Sequence, residues 1–180
     1  MTDEVDGGRG RRRLLFWSGL VAVLVVLTGV VLLGANRPAD PQLLDLDEIS
    51  FRIRGGPGGA ATAAAQHCAL LADRPEEHQR GLMGRTDLGR HVGMLFRFDA
   101  DTSTAFYMKD TLMPLSIAWF DSEGLFVSAA DMEPCPVDVG CPTHSAAAPY
   151  RYALEVPKGG LPGLGIGPGA RLVVGGEGCG

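Results

Sequence analysis

The chain has 180 residues, 46% hydrophobic and 21% charged, which is room for one ordinary globular domain plus a short appendage and excludes two domains with separate cores. Its formal charge of −5 hides an asymmetry, because residues 38–180 carry eleven Lys/Arg against eighteen Asp/Glu and so stand near −7. A phosphate backbone needs cations clustered on one face, so this balance excludes nucleic acid as the expected partner.

Residues 1–13 form a basic tail that ends in Arg9, Arg11, Arg12 and Arg13. The twenty residues from Leu14 to Leu33 carry no charge and are rich in Leu and Val. As a helix they would span roughly 30 Å, the thickness of a hydrocarbon core. The arginine block before this run outweighs the lone Arg37 after it, which places the N-terminus in the cytoplasm by the positive-inside bias. The apolar run is too long for the core of a cleaved signal peptide, and cleavage after Ala35 would leave Leu33 where a small residue is required. The expectation is an uncleaved single-pass signal-anchor over 14–35, a polar tether over 36–48 with Pro38 and Pro41, and an extracytoplasmic domain over 49–180.

Within that domain, Ile49 to Arg54 alternates as a strand does, and Gly55-Gly-Pro-Gly-Gly59 breaks it. His67 to Ala72 reads as the next strand. Asp73-Arg-Pro-Glu76 resembles a capping box and predicts a short helix through Gln79 and Leu82. Strands follow at 93–98, 104–108, 115–120, 125–130, 150–156 and 170–174, and Asp121-Ser-Glu-Gly124 carries hairpin-turn chemistry. The pattern predicts a β-rich α+β domain of about six to eight short strands and one short helix, arranged as a partly closed barrel or as two packed sheets.

Four cysteines are present. Outside the cytoplasm, Cys135 and Cys141, separated by five intervening residues in a Pro-containing loop, form a natural disulfide. Cys68 and Cys179 are able to pair too, but sequence does not fix connectivity. Zinc would have to take these cysteines with His144, and the Cys-x2–4-Cys spacing of structural sites is missing. Met83, Met94, Met108, Met113 and Met132 are soft ligands suited to Cu(I), yet each sits among apolar neighbours and reads better as gap-filling core. No metal or cofactor is expected. The chain has no Cys-x-x-Cys pair, no Gly-x-Ser-x-Gly elbow and no phosphate-binding loop, so no enzyme class is supported by a local motif.

Five ordered segments carry a resemblance: Arg80-Gly-Leu-Met83, Gly93-Met-Leu-Phe96, Met108-Lys-Asp-Thr-Leu-Met-Pro-Leu115, Met132-Glu-Pro-Cys135 and Leu154-Glu-Val156. Over 67–174 the chain resembles the domain-of-unknown-function family 192. The resemblance implies a compact β-rich domain, often exported or membrane-anchored in bacteria, and directs attention to Arg80, Gly81, Met83, Gly93, Met94, Met108, Lys109, Thr111, Pro114 and Glu155. The chain departs from the family pattern where Met-Lys-Asn-Thr becomes Met108-Lys-Asp110-Thr and where Pro-Leu-Asp becomes Pro114-Leu-Ser116. It departs again at 158–165, where members tend to have a short helix and this chain is dense in Gly and Pro.

A ligand site is expected around Arg80, Arg85, Met108, Lys109, Asp110, Thr111 and Glu155, where opposite charges stand beside apolar strands. The plainer expectation is that Arg80, Lys109 and Asp110 make ordinary surface ion pairs. Two functions follow. The first is a non-catalytic, membrane-anchored module that binds a small polar ligand or an envelope protein. The second is a cell-envelope hydrolase or transferase with Asp110 or Glu155 as base and Lys109 as electrostatic partner. The first is preferred because no recognised catalytic spacing is present.

Overall fold

The computed structural model describes residues 46–57, 65–135 and 140–179. The expected basic tail and anchor lie outside the described residues, and among those described no helix is long and apolar enough to cross a membrane.

The domain contains strands β1 (Glu48–Gly55), β2 (His67–Ala72), β3 (Met94–Thr102), β4 (Phe106–Tyr107), β5 (Leu115–Phe120), β6 (Phe126–Met132), β7 (Thr143–His144), β8 (Tyr150–Pro157) and β9 (Ala170–Glu177), with helix α1 (Pro75–Arg80) between β2 and β3. Seven strands make one curled sheet in the order β6-β5-β8-β3-β2-β1-β9, and β4 pairs with β7 in a separate two-stranded ribbon. Only β2 and β3 pair in parallel among the described strands, because α1 and the loop after it carry the chain back across the sheet between them. The edge strands β6 and β9 approach each other at one corner, where Leu125 and Arg171 form a bridge and the Leu172 N–H donates to the Gly124 carbonyl at 2.8 Å. The curl is therefore a half-barrel, partly closed as the sequence predicts.

The sheet is buried on both faces. On one side Ile49, Phe51, Leu71, Leu95, Phe120, Leu154 and Leu172 pack together. On the other Leu70, Met94, Phe96, Leu115, Ile117, Trp119 and Ala153 meet Leu82, Leu88 and Met108 from the segments laid over them. β5 is buried at all six positions, which explains why it reads as a continuous apolar run and not as an alternation. Met94, Met108 and Met132 are core residues at 0–1% exposure.

Several details differ from expectation. The helix cap is shifted by one residue: Arg74 is the N-cap, and Glu77 reaches back to accept the N–H groups of Asp73 at 3.0 Å and Arg74 at 3.1 Å. Glu77 serves because it stands at N3, three residues after the N-cap, and its other carboxylate oxygen accepts from Arg74 Nε at 2.8 Å. The stretch 104–108 contributes only Phe106–Tyr107 as strand, and Pro162–Leu164 forms a single 3₁₀ turn within the Gly/Pro-rich segment where a helix was not expected. The hairpin at 121–124 forms as read: the Asp121 carboxylate accepts from Glu123 at 2.9 Å and Leu125 at 2.8 Å, while Gly124 takes φ +78°.

Candidate functional site

Two segments cover the second face of the sheet, and a cleft of about 150 Å³ opens where they part. One wall is the last turn of α1 and the residues after it, from His78 to Met83; the other is 104–107 with Thr111. Its floor is the sheet itself, through Phe96 and Phe98 of β3 and Glu155 of β8.

Each wall is pinned by a specific contact. The His78 Nε2–H is shared between the carbonyls of Ala72 and Arg97, both at 3.1 Å, so α1 is clamped to the end of β2 and the middle of β3. Since both partners are acceptors, the proton sits on Nε2. The His78 ring also lies against Phe98, with centroids 4.3 Å apart. Opposite, buried Tyr150 donates its hydroxyl to the Thr104 carbonyl at 2.6 Å and holds 104–107 down on the sheet. Burial raises the Tyr150 phenol well above its ordinary range, so it remains a donor. Phe106 then packs edge-on to Phe96 at 5.0 Å and to Trp119 at 6.2 Å.

Glu155 is the unusual residue of the floor. It pairs with Met94 on one side and Ile117 on the other, on the same face as Ala153 and in the middle of the sheet. It is 4% exposed and lines the cleft. Among the described residues its carboxyl makes no hydrogen bond or ion pair and stays open to the cleft, whereas Trp119 Nε1 is the side-chain polar atom fully closed off from solvent without a partner. Burial pushes its pKa up to about 8, so the carboxyl is largely protonated at neutral pH when the cleft is empty.

The seven residues singled out from sequence separate into three groups. Arg80, Thr111 and Glu155 line the cleft together. Met108 is buried in the core, and its carbonyl accepts from Thr111 at 3.1 Å and Cys135 at 3.3 Å. Lys109, Asp110 and Arg85 do not line the cleft. Asp110 has φ +53° and its carbonyl accepts the Gly84 N–H at 2.9 Å, so its place in Met108-Lys-Asp-Thr111 is that of a left-handed turn residue. The family's Asn suits that conformation for the same reason. His78, Phe98, Phe106 and Tyr107 also line the cleft but belong to no chemical motif, and the one local signal of them is Phe96 and Phe98, two apart on a strand and so on one face.

Both disulfides are formed, Cys68–Cys179 and Cys135–Cys141. The second closes the loop that braces the turn leading to Thr111, since the Asp110 N–H donates to the Cys135 carbonyl at 3.3 Å. For metals, the described residues bring Glu48, Cys68 and His91 within 4.8 Å of one another. That cluster is already committed: Cys68 is bonded to Cys179, and the Glu48 carboxylate takes Arg90 at 2.5 Å and His91 at 2.7 Å.

The sequence profile of domain-of-unknown-function family 192, Uncharacterized ACR, matches residues 60–174, and the chain belongs to that family. Two solved structures share the fold. One, from Sinorhizobium meliloti and described as a candidate transcription regulator, is 26% identical with a TM-score of 0.59, covering 73% of this chain and 96% of its own. The other, a protein of unknown function from Novosphingobium aromaticivorans, is 28% identical with a TM-score of 0.59, covering 77% of this chain and 94% of its own. None of the curated proteins matches the sequence.

Proposed function

We propose that this protein is a membrane-tethered, extracytoplasmic binding module whose cleft receives one small ligand, with a flat apolar body against the aromatic walls and a polar group that reaches Glu155 and Thr111. The observation that carries this reading is the Glu155 carboxyl, buried at the floor of a cleft without a partner. Withdrawing a carboxyl from bulk water costs free energy unless a partner replaces the lost hydration. A ligand group that meets it recovers that cost on binding, which makes the site selective as well as favourable.

Binding is favoured over turnover because the other members of a catalytic arrangement, Lys109 and Asp110, do not line the cleft. The tether and location rest on the charge-free run behind the arginine block and on the two disulfides, which suit an oxidising compartment. Nucleic acid is left out of the partners. The relative from Sinorhizobium meliloti is described as a candidate regulator, but residues 38–180 here carry eighteen acidic against eleven basic side chains.

A saturation-transfer screen of ring-bearing polar fragments on the solubilised full-length chain tests the reading. Fragments should bind the wild type and lose binding in Ala105→Trp, which fills the cleft, while the melting temperature holds. Fragments that bind both proteins equally would refute it. Protease applied to intact cells should remove a C-terminal tag, and a protected tag with a cut N-terminus would reverse the topology.

A further inference from the structure

We infer that the cleft's ligand is a small organic cation, an N–H-bearing ammonium or amidinium on a short apolar or single-ring stem, with its charged head seated on the Glu155 carboxylate. The inference rests on the binding reading above and narrows it to a charge and a size.

The size follows from the cavity. A cavity of about 150 Å³ accommodates a benzene-sized body, so the part of the ligand that enters is one ring or a few carbons long. The chemistry follows from the lining. Four aromatic residues, Phe96, Phe98, Phe106 and Tyr107, line it, and aromatic rings attract cations over their faces. Thr111 is buried at the same wall. The only carboxyl among the residues lining the cleft is Glu155, at the floor.

Other titratable groups line the cleft from the elements around it. On α1, His78 is held with its Nε2–H turned onto two carbonyls, so that proton is directed at the backbone. Arg80, at the end of the same helix, is exposed, has an interaction of its own, and sits where water screens its charge. From the opposite wall comes Tyr107, 42% exposed. The net negative charge of residues 38–180 adds a long-range field that concentrates cations and not anions at the surface.

Seating a cation requires Glu155 to ionise. In the empty cleft at neutral pH the carboxyl holds its proton, because burial raises its pKa to about 8. An entering ammonium keeps its own protons and displaces this one to solvent, and the result is an ion pair in place of an isolated acid. Binding and proton release are therefore coupled. A neutral ligand that accepts a hydrogen bond from the protonated acid shows the opposite pH dependence.

Three probes of matched shape separate the possibilities on the solubilised full-length protein: benzylamine, benzyl alcohol and benzoate, each measured by calorimetry between pH 6 and pH 9. Benzylamine should bind best, its affinity rising by up to about tenfold per pH unit until pH ~8 and levelling above it. Repeating the titration in buffers of different ionisation enthalpy should show close to one proton released per benzylamine at pH 6.5, and this readout needs no variant. Glu155→Gln should lose benzylamine and keep or gain benzyl alcohol. Binding of benzyl alcohol in preference to benzylamine, or benzylamine binding without proton release, would overturn the cation while leaving a ligand cleft. If none of the three binds, the cation and the binding reading fall together.

Discussion

The backbone of Gly93 runs so close to that of Glu155 that a Cβ added to Gly93 would lie 2.0 Å from the Glu155 carbonyl oxygen. Real side-chain atoms do not approach a carbonyl oxygen this closely, so the two chains can pass only because residue 93 is glycine. The contact fixes the strand position from which the Glu155 side chain faces the cleft. Gly93→Ala should therefore cost about 1–3 kcal/mol by overpacking and shift Glu155 as well. Chemical denaturation should report the lost stability, and fragment binding should weaken beyond what the fraction unfolded explains. A variant as stable as the wild type would show that the backbone has room this structure does not.

The buried acid predicts an unusual slope of stability against pH. Its carboxyl ionises near 4.5 in the unfolded chain but only near 8 in the folded one. Between those values the native state binds more protons than the unfolded state, so stability falls as pH rises. At about 1.4 kcal/mol per unit the effect amounts to a few kcal/mol. Glu77 acts in the opposite sense: burial alone would raise it, but the Arg74 guanidinium and two backbone N–H groups outweigh burial and hold it low. Its contribution is present above the usual carboxylate range and is lost as pH falls through its folded pKa. Melting curves from pH 5 to pH 8 should decline in the wild type and flatten in Glu155→Gln, which is also the more stable protein at pH 8. Parallel slopes would contradict the burial of Glu155.

Asp110 is a left-handed turn residue that does not line the cleft. At φ +53° it occupies a region that Asn and Gly enter readily and a β-branched residue does not. Asp110→Asn and Asp110→Gly should leave stability and fragment binding close to wild type, whereas Asp110→Val should cost about 1–2 kcal/mol. Equal loss in all three variants would point to the carboxylate itself.

The two disulfides should contribute unequally. Cys68 and Cys179 are 111 residues apart and Cys135 and Cys141 only 6. In the chain-entropy model these loops correspond to about 5 and about 2 kcal/mol. Alanine pairs at 68/179 and at 135/141 should rank in that order in denaturant midpoint. The smaller bridge should matter more for binding, because it braces the turn that leads to Thr111. A 135/141 pair with unaltered binding would remove that role.

Tyr150 and Thr104 offer a milder perturbation of the cleft. Tyr150→Phe leaves the buried ring in place and deletes the hydroxyl that holds the Thr104 carbonyl at 2.6 Å. The expected loss is about 1 kcal/mol, with faster amide exchange confined to 104–107. Uniformly faster exchange would mean that Tyr150 supports the whole fold and not that wall.

Much of the fold was legible because its signals are local. The β5 run Leu115–Phe120 and the Asp121–Gly124 turn follow directly from apolar content and turn chemistry. β4 was overread. Of 104–108 only Phe106 and Tyr107 are strand, and the Phe106 ring packs on the sheet face against Phe96, Trp119 and Tyr150. β7, two residues of Thr and His, has no pattern to read. The cleft was half legible for a related reason. Leu154-Glu-Val156 alternates like a strand that turns its glutamate to water, and nothing local says that two distant segments cover that face. The family resemblance marked Glu155 as a position to inspect; its burial is a property of the assembled domain.

At the floor of the cleft the Glu155 carboxyl makes no hydrogen bond or ion pair with the described residues and burial keeps it protonated, and its own titration tests this most directly. Carboxyl ¹³C shifts of the glutamate-labelled full-length protein, assigned by comparison with Glu155→Gln, should show this one acid holding its proton until pH is near 8 and losing it at lower pH when benzylamine is added. A midpoint near 4.5 in the empty protein would mean that the carboxyl is solvated or paired, and the account of the site would fail.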